Sequence, residues 1–209
     1  MTAPIIGERS GRTYTPKTLL RDTKLTRYER GILGSATLYD GKSDHGSAYP
    51  YMLEVGTLLS RVTATSKLSP LKLTALNGAA SADTDLVVDE SRFFQVGDTI
   101  TVGTTDSTIT AIDYTTDTLT VDTATTESDG AVVKARGDLA GAEIPIGILD
   151  EFVDGENPSS RAVEDRQVGK MLIWGFVIDS SVVGDLTQGQ AISGNKLGNI
   201  FFQSDHGLV

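Results

Sequence analysis

Hydrophobic and polar positions alternate most cleanly between residues 72 and 136. Leu73-Thr74-Ala75-Leu76, Leu86-Val87-Val88, Thr99-Ile100-Thr101-Val102, Thr108-Ile109-Thr110-Ala111-Ile112, Thr118-Leu119-Thr120-Val121 and Ala131-Val132-Val133-Lys134 are short apolar-containing runs, separated by polar turns such as 103–107 and 113–117. Runs of this kind, repeating every ~8–12 residues, predict strands that close into a small antiparallel barrel or sandwich. Its expected core is Phe93, Phe94, Val96, Ile100, Val102, Ile109, Ile112, Leu119 and Val121, with Thr and Asp guarding the outward positions.

The flanking pattern is less regular. Upstream, Gly31-Ile32-Leu33-Gly34 begins a first predicted strand reaching Tyr39, and residues 51–63 form an apolar run interrupted at Gly56, which predicts a turn or bulge between two short strands. Downstream, Ile144-Pro145-Ile146-Gly147-Ile148-Leu149 leads into the acidic segment 150–166, and the chain returns through Gly169-Lys170-Met171-Leu172-Ile173-Trp174-Gly175-Phe176-Val177-Ile178. Alternation sets Met171, Ile173, Gly175 and Val177 against Leu172, Trp174, Phe176 and Ile178. Both sets are apolar, so this strand is expected to be covered on both faces, by its own subunit or a neighbouring copy. Ile200-Phe201-Phe202 predicts one more strand.

Before residue 31 no apolar period is sustained, and Pro4, Gly7, Gly11 and Pro16 interrupt the chain. That composition predicts an extended arm or a structureless tail, with a short helix over 18–28 (Leu19, Leu20, Leu25) as the local alternative. The resulting organisation is mostly β. It has an extended N-terminal arm, 1–44, a discontinuous β domain, 45–71 plus 138–209, and an inserted small β-barrel, 72–137.

Charge sharpens this picture. The net charge is −10, yet residues 1–30 hold seven basic residues against three acidic ones, a net +4 that leaves −14 for the remaining chain. An acidic body is poorly suited to nucleic acid, whereas a basic arm suits a partner with a complementary surface. Cysteine is absent, which excludes disulfides and zinc-thiolate chemistry. No apolar stretch reaches the ~20 residues needed to span a bilayer as a helix, so no membrane partner is expected. His45 and His206 each stand alone in polar loops, without a nucleophile elbow. Asp150, Glu151, Asp154 and Glu156 lack the spacing of an EF-hand loop and read as a solvated turn. Arg136-Gly137-Asp138 falls where a hinge back to the parent domain is expected, and a three-residue match to adhesion loops is unspecific. No catalytic residue, metal site or cofactor is expected, and recognition or structure is the expected role.

The segments Val55-Gly56-Thr57-Leu58-Leu59-Ser60-Arg61-Val62-Thr63, Ile146-Gly147-Ile148-Leu149-Asp150-Glu151-Phe152-Val153-Asp154, Ala162-Val163 and 169–177 resemble, in order and spacing, the lambda-type phage head decoration family. The likeness covers about half the chain. It implies a β-tulip-like decoration domain that binds as a homotrimer at pseudo-threefold positions on the outside of an expanded icosahedral capsid. The implied partners are the other copies and the major capsid protein, and the implied location is the virion, after assembly in the host cytoplasm. An N-terminal arm that adds a strand to the capsid would place Arg9, Arg12, Tyr14, Thr15, Pro16, Lys17, Leu19, Leu20 and Arg21 at the contact. Ile148, Leu149, Leu172, Trp174 and Phe176 would build the trimer or core. A phage tail-tube protein and a host- or carbohydrate-binding module are the alternatives. The scarcity of Trp outside Trp174 counts against sugar stacking.

Overall fold

The computed structural model describes residues 20–43, 50–157, 160, 162–178, 181–192 and 200–203, with backbone alone for 20–25, 176, 178, 190–192 and 201–203. Among the described residues strands predominate, with a single short α-helix, so the fold is mostly β. In chain order the first lobe takes β1 (Leu20–Leu33), β2 (Met52–Leu53), β3 (Leu58–Arg61) and β4 (Leu68–Pro70). The chain then enters a second lobe through β5 (Leu73–Ala75), β6 (Ala80–Val87), β7 (Thr99–Val102), β8 (Thr105–Asp113), β9 (Thr118–Glu127) and β10 (Val132–Ala135). It returns through a 3-10 turn at Gly137–Leu139 to β11 (Pro145–Leu149), β12 (Val153–Asp154), β13 (Arg166–Ile178), α1 (Leu186–Ile192) and β14 (Ile200–Gln203).

The first lobe is a closed five-stranded barrel. Around the ring β1 pairs antiparallel with β13, β13 with β11, β11 with β3 and β3 with β4. A single parallel bridge, Leu33 to Leu68, joins β4 back to β1. One cluster draws Leu33, Leu59, Leu68, Leu149, Val168 and Met171 from all five strands and therefore fills the barrel. A second cluster takes the neighbouring residues Leu58, Ile148 and Leu172 together with Leu71, Leu73 and Val177. Consecutive buried residues facing two different clusters mean that β3, β11 and β13 are covered on both faces, as the double apolar pattern around Met171 predicts. Helix α1 supplies part of that outer cover, with Gly189 against Leu58, Leu71 and Pro145. Strict alternation does not hold to the end of β13. The β1–β13 register slips between the Arg27–Trp174 and Tyr28–Leu172 pairs, leaving Ile173 as an extra residue on β13, and Val177 lies in the cluster of Leu172 rather than that of Met171.

The second lobe is a curled half-barrel in the order β5-β10-β7-β8-β9-β6, antiparallel throughout. Its edges meet only at an isolated bridge between Leu76 and Val88. The expected inserted barrel is thus an open sheet, and the closed barrel belongs to the flanking segments. The reason is β1. Residues 20–33 supply the strand that completes the flanking ring, where the sequence pattern suggests a free arm or a helix over 18–28. The charged residues Arg21, Asp22, Lys24, Arg27, Glu29 and Arg30 conceal the strand by breaking any apolar period, and Arg27, Glu29 and Arg30 are exposed.

Two of the expected core residues of the second lobe lie elsewhere. Phe93 is 2% exposed and joins the filling of the five-stranded barrel, while Phe94 joins Ile100, Val102, Ile109, Leu119, Val121 and Val133 in the half-barrel. Phe93 lies in the turn that the Phe94 amide closes on the Ser91 carbonyl at 3.0 Å, so the two adjacent rings part at that turn and staple one lobe to the other. Val96 is exposed beside the turn at Gly97, and Ile112 is only half-buried.

Candidate functional site

From Leu20 to about Arg30, β1 has a strand partner among the described residues on one side only. β13 runs along it from Leu33–Arg166 to Leu20–Val177, and on its other side the described residues offer a strand partner only at Leu33. A strand edge of this length presents alternate N–H and C=O groups to any incoming chain, and charged side chains are the usual guard against unwanted pairing. Arg27, Glu29 and Arg30 are exposed on this ribbon, and Arg27 stands opposite the half-buried Trp174. Tyr28 anchors the strand by donating its hydroxyl to Asp150 at 2.6 Å. Burial and that carboxylate together push the Tyr28 phenol up to about 12, so it remains a donor across the neutral range. At the foot of the ribbon an open depression of about 470 Å³ is lined by Arg30, Gly31, Ile32, Gln167, Val168 and Gly169. Ile32 is 46% exposed there, one of few large apolar side chains left to solvent among the described residues.

Of the sequence-predicted contact residues, Arg9, Arg12, Tyr14, Thr15, Pro16, Lys17 and Leu19 lie outside the described residues, as do His45 and His206. Leu20 and Arg21 open β1 itself, with Leu20 paired to Val177. Ile148, Leu149 and Leu172 are fully buried within their own subunit, and Phe176 is paired through its backbone to Asp22 and Phe201. The acidic segment is occupied by local bonds. Asp150 takes Tyr28, Glu151 takes the amides of Gly169 and Lys170, and Asp154 takes the amide of Glu156. Among the described residues no three His, Cys, Asp or Glu side chains gather to hold a metal. Arg136-Gly137-Asp138 lies at the return from the second lobe, and its Arg136 is paired with Asp106.

The polar feature that alternation could not reveal lies between the lobes. Lys72, wholly buried between Leu71 and Leu73, pairs with Asp98 at 2.5 Å. Asp98 also accepts the Gln95 amide. Burial holds the Lys72 ammonium below its ordinary range, partly offset by Asp98. Nearby, the loop after β1 grips the second lobe. Arg92 donates from Nε to Asp40 at 2.7 Å and from Nη2 to the Lys42 carbonyl at 2.6 Å. Lys42 reaches Asp117 at 2.5 Å and Glu90 at 3.0 Å. Asp40 is 1% exposed and its Oδ2 has no hydrogen-bond partner. A lone Lys or Asp in a polar-looking loop carries no sequence signal that it will be sealed between two sheets.

Outside these pairs the second lobe is strongly acidic. Residues 72–137 hold eleven Asp and Glu against four Lys and Arg, and three of those four cations are tied to Asp98, Asp40 and Asp106. The arrangement as a whole combines a β1 edge with no strand partner among the described residues, a basic N-terminal sequence and an acidic second lobe. Comparison of the chain with family models, with curated proteins and with solved structures found no match in any of the three.

Proposed function

We propose that this chain decorates the outside of an icosahedral phage capsid. It does so as a homotrimer that cements neighbouring copies of the major capsid protein, with no catalytic role. The observation that carries the reading is the placement of β1. A barrel strand with one side unpaired by the described residues follows residues 1–19, whose Arg9, Arg12 and Lys17 outnumber Glu8. A leader tethered to a closed barrel at that point transmits load to the whole subunit through the β1–β13 pairing. The capsid-contacting part of the arm is accordingly residues 2–19, without Leu20 and Arg21, because residues from Leu20 on close the protein's own barrel.

In this reading the leader adds a strand to an edge on the capsid lattice, and its positive charge speeds encounter with an acidic shell. Three leaders in one trimer act through effective concentration, so modest single-arm affinity multiplies. The acidic lobe points its charge away from the seam, keeping coated particles mutually repulsive.

The test is co-sedimentation with expanded, emptied phage heads. Full-length protein is expected to pellet with heads at three copies per site, while deletion of 2–19 abolishes pelleting and leaves a folded trimer by native mass spectrometry. Equal pelleting of the truncated protein overturns the role of the leader. Hexameric rings in place of trimers move the assignment to a tail tube.

A further inference from the structure

We propose that the Asp40 carboxyl is a proton-operated latch between the five-stranded barrel and the acidic lobe: docked firmly with a proton on it, loosened without one. The inference is independent of the capsid reading. Loop 37–43 leaves β1 and lies against the second lobe, where Gly41 donates its amide to the Arg92 carbonyl at 2.8 Å. A Cβ on Gly41 would fall 2.2 Å from the Tyr114 ring, so the two lobes touch here without slack. Tyr39 packs against both Tyr51 and Tyr114 at 5.9 Å between centroids, and Tyr114 donates to the Phe94 carbonyl at 2.8 Å. Asp40 sits behind this aromatic wall and is sealed from solvent.

Its two oxygens are treated very differently. Oδ1 accepts Arg92 Nε at 2.7 Å and the Lys42 amide at 2.9 Å, while Oδ2 is buried with no hydrogen-bond partner. An ionised carboxylate spreads half its charge onto that bare oxygen, in a place water cannot reach, which is costly. A proton on Oδ2 removes the cost and leaves Oδ1 free to keep its two donors.

The charged surroundings come from every side. Lys42 and Tyr39 lie on the same loop, Glu54 on the segment after β2, and Arg92, Glu90, Asp98, Tyr114 and Asp117 on the second lobe. Burial dominates and raises Asp40 from 3.8 to about 6, with Arg92 opposing and Glu54 adding repulsion. Lys42 holds its charge, raised by its bonds to Asp117 and Glu90 against burial, and Asp117 stays ionised because Lys42 and Ser91 outweigh its own burial. Tyr114, raised by burial, remains neutral. Asp40, by its raised value, changes charge in the weakly acidic range.

The direction follows from the raised value. The docked state binds the proton more tightly than an undocked, solvated Asp40 does, so docking is strongest below about pH 4. It weakens as pH rises and reaches its reduced plateau above about pH 6. A shift of about two units corresponds to roughly a hundredfold in the docking equilibrium.

Carboxyl carbon-13 titration of the full chain, with hydrogen exchange at the Gly41 amide, tests this. The Asp40 resonance is expected to titrate near pH 6. Gly41 protection, corrected for the intrinsic base-catalysed rate, should fall by up to about a hundredfold between pH 4 and 7. In Asp40→Asn the fall disappears, and in Glu54→Gln the Asp40 midpoint moves down. An Asp40 midpoint near 3.8 overturns the latch whether or not the Asn variant folds, as does an unchanged protection profile in that variant.

Discussion

Replacing Phe93 with Ala tests how the two lobes are joined. Phe93 lies within the sequence of the second lobe, yet it is 2% exposed among Leu33, Leu59, Leu68 and Leu149 of the five-stranded barrel. Truncating a fully buried Phe removes its transfer free energy and leaves a cavity, together costing about 3–5 kcal/mol. At a urea dependence of roughly 2 kcal/mol/M, that lowers the unfolding midpoint by about 1.5–2.5 M. Trp174, the single Trp, is half-buried on β13 of the barrel, so its fluorescence follows that lobe and far-UV circular dichroism follows both. The expected result is a Trp174 transition shifted by the full amount in Phe93→Ala. Phe94→Ala, one residue on but inside the half-barrel, acts first on the circular dichroism signal and less on Trp174. A Trp174 transition unmoved by Phe93→Ala, beyond ~0.5 kcal/mol, would refute the stapling. The second lobe would then be a guest that folds without contributing to its host.

Three further outcomes follow from single contacts. Lys72→Ala strips the partner from Asp98 and is expected to cost about 3–5 kcal/mol in urea unfolding, whereas Lys72→Met combined with Asp98→Asn recovers most of it. Gly41→Ala drives a methyl into the Tyr114 ring and should cost about 1–3 kcal/mol in thermal unfolding, relieved when Tyr114→Ala is added. The Lys67 ammonium and the Ser35 amide hold Asp165 down to about 2, so its contribution is present above about pH 4 and is lost as pH falls through about 2. Lys67→Ala should move the Asp165 carboxyl midpoint upward in a carbon-13 titration; no movement would show that Lys67 is screened out.

What could be read in the sequence was periodic and local. The strands around Ile100, Ile109, Leu119 and Val133 alternate, and β7 to β10 occupy those runs. The double apolar pattern of Met171 and Leu172 announced a strand covered on both faces, and both residues are fully buried. The parity of Val177 was not legible, because a register slip leaves no mark in composition. Nor was the destination of Phe93 against Phe94. The two rings part at a turn rather than on a strand, and nothing in the local pattern says which of two cores each will meet. The junction ions were hidden for a related reason. Lys72 and Asp40 are ordinary polar residues until two sheets close over them, and that closure is a tertiary event.

β1 is the instructive failure, and it bears on function. Its charges look like those of a free arm, because no apolar period marks the strand and Arg27, Glu29 and Arg30 are exposed. The strand survives on long-range pairing with β13, which local propensity does not register. A strand that closes a barrel cannot also be handed to another shell, since withdrawing it would open the ring and expose Leu59, Leu68, Leu149 and Met171. Whatever reaches outward must therefore do so from residues before Leu20, or by receiving a partner's strand along the open side of β1. These two modes make opposite demands on the same variant. Loss of residues 2–19 removes a donor and spares an acceptor, whereas a proline placed at Arg27 breaks the edge and spares the leader. Binding that survives the first change and fails with the second would turn the proposed donor into a recipient.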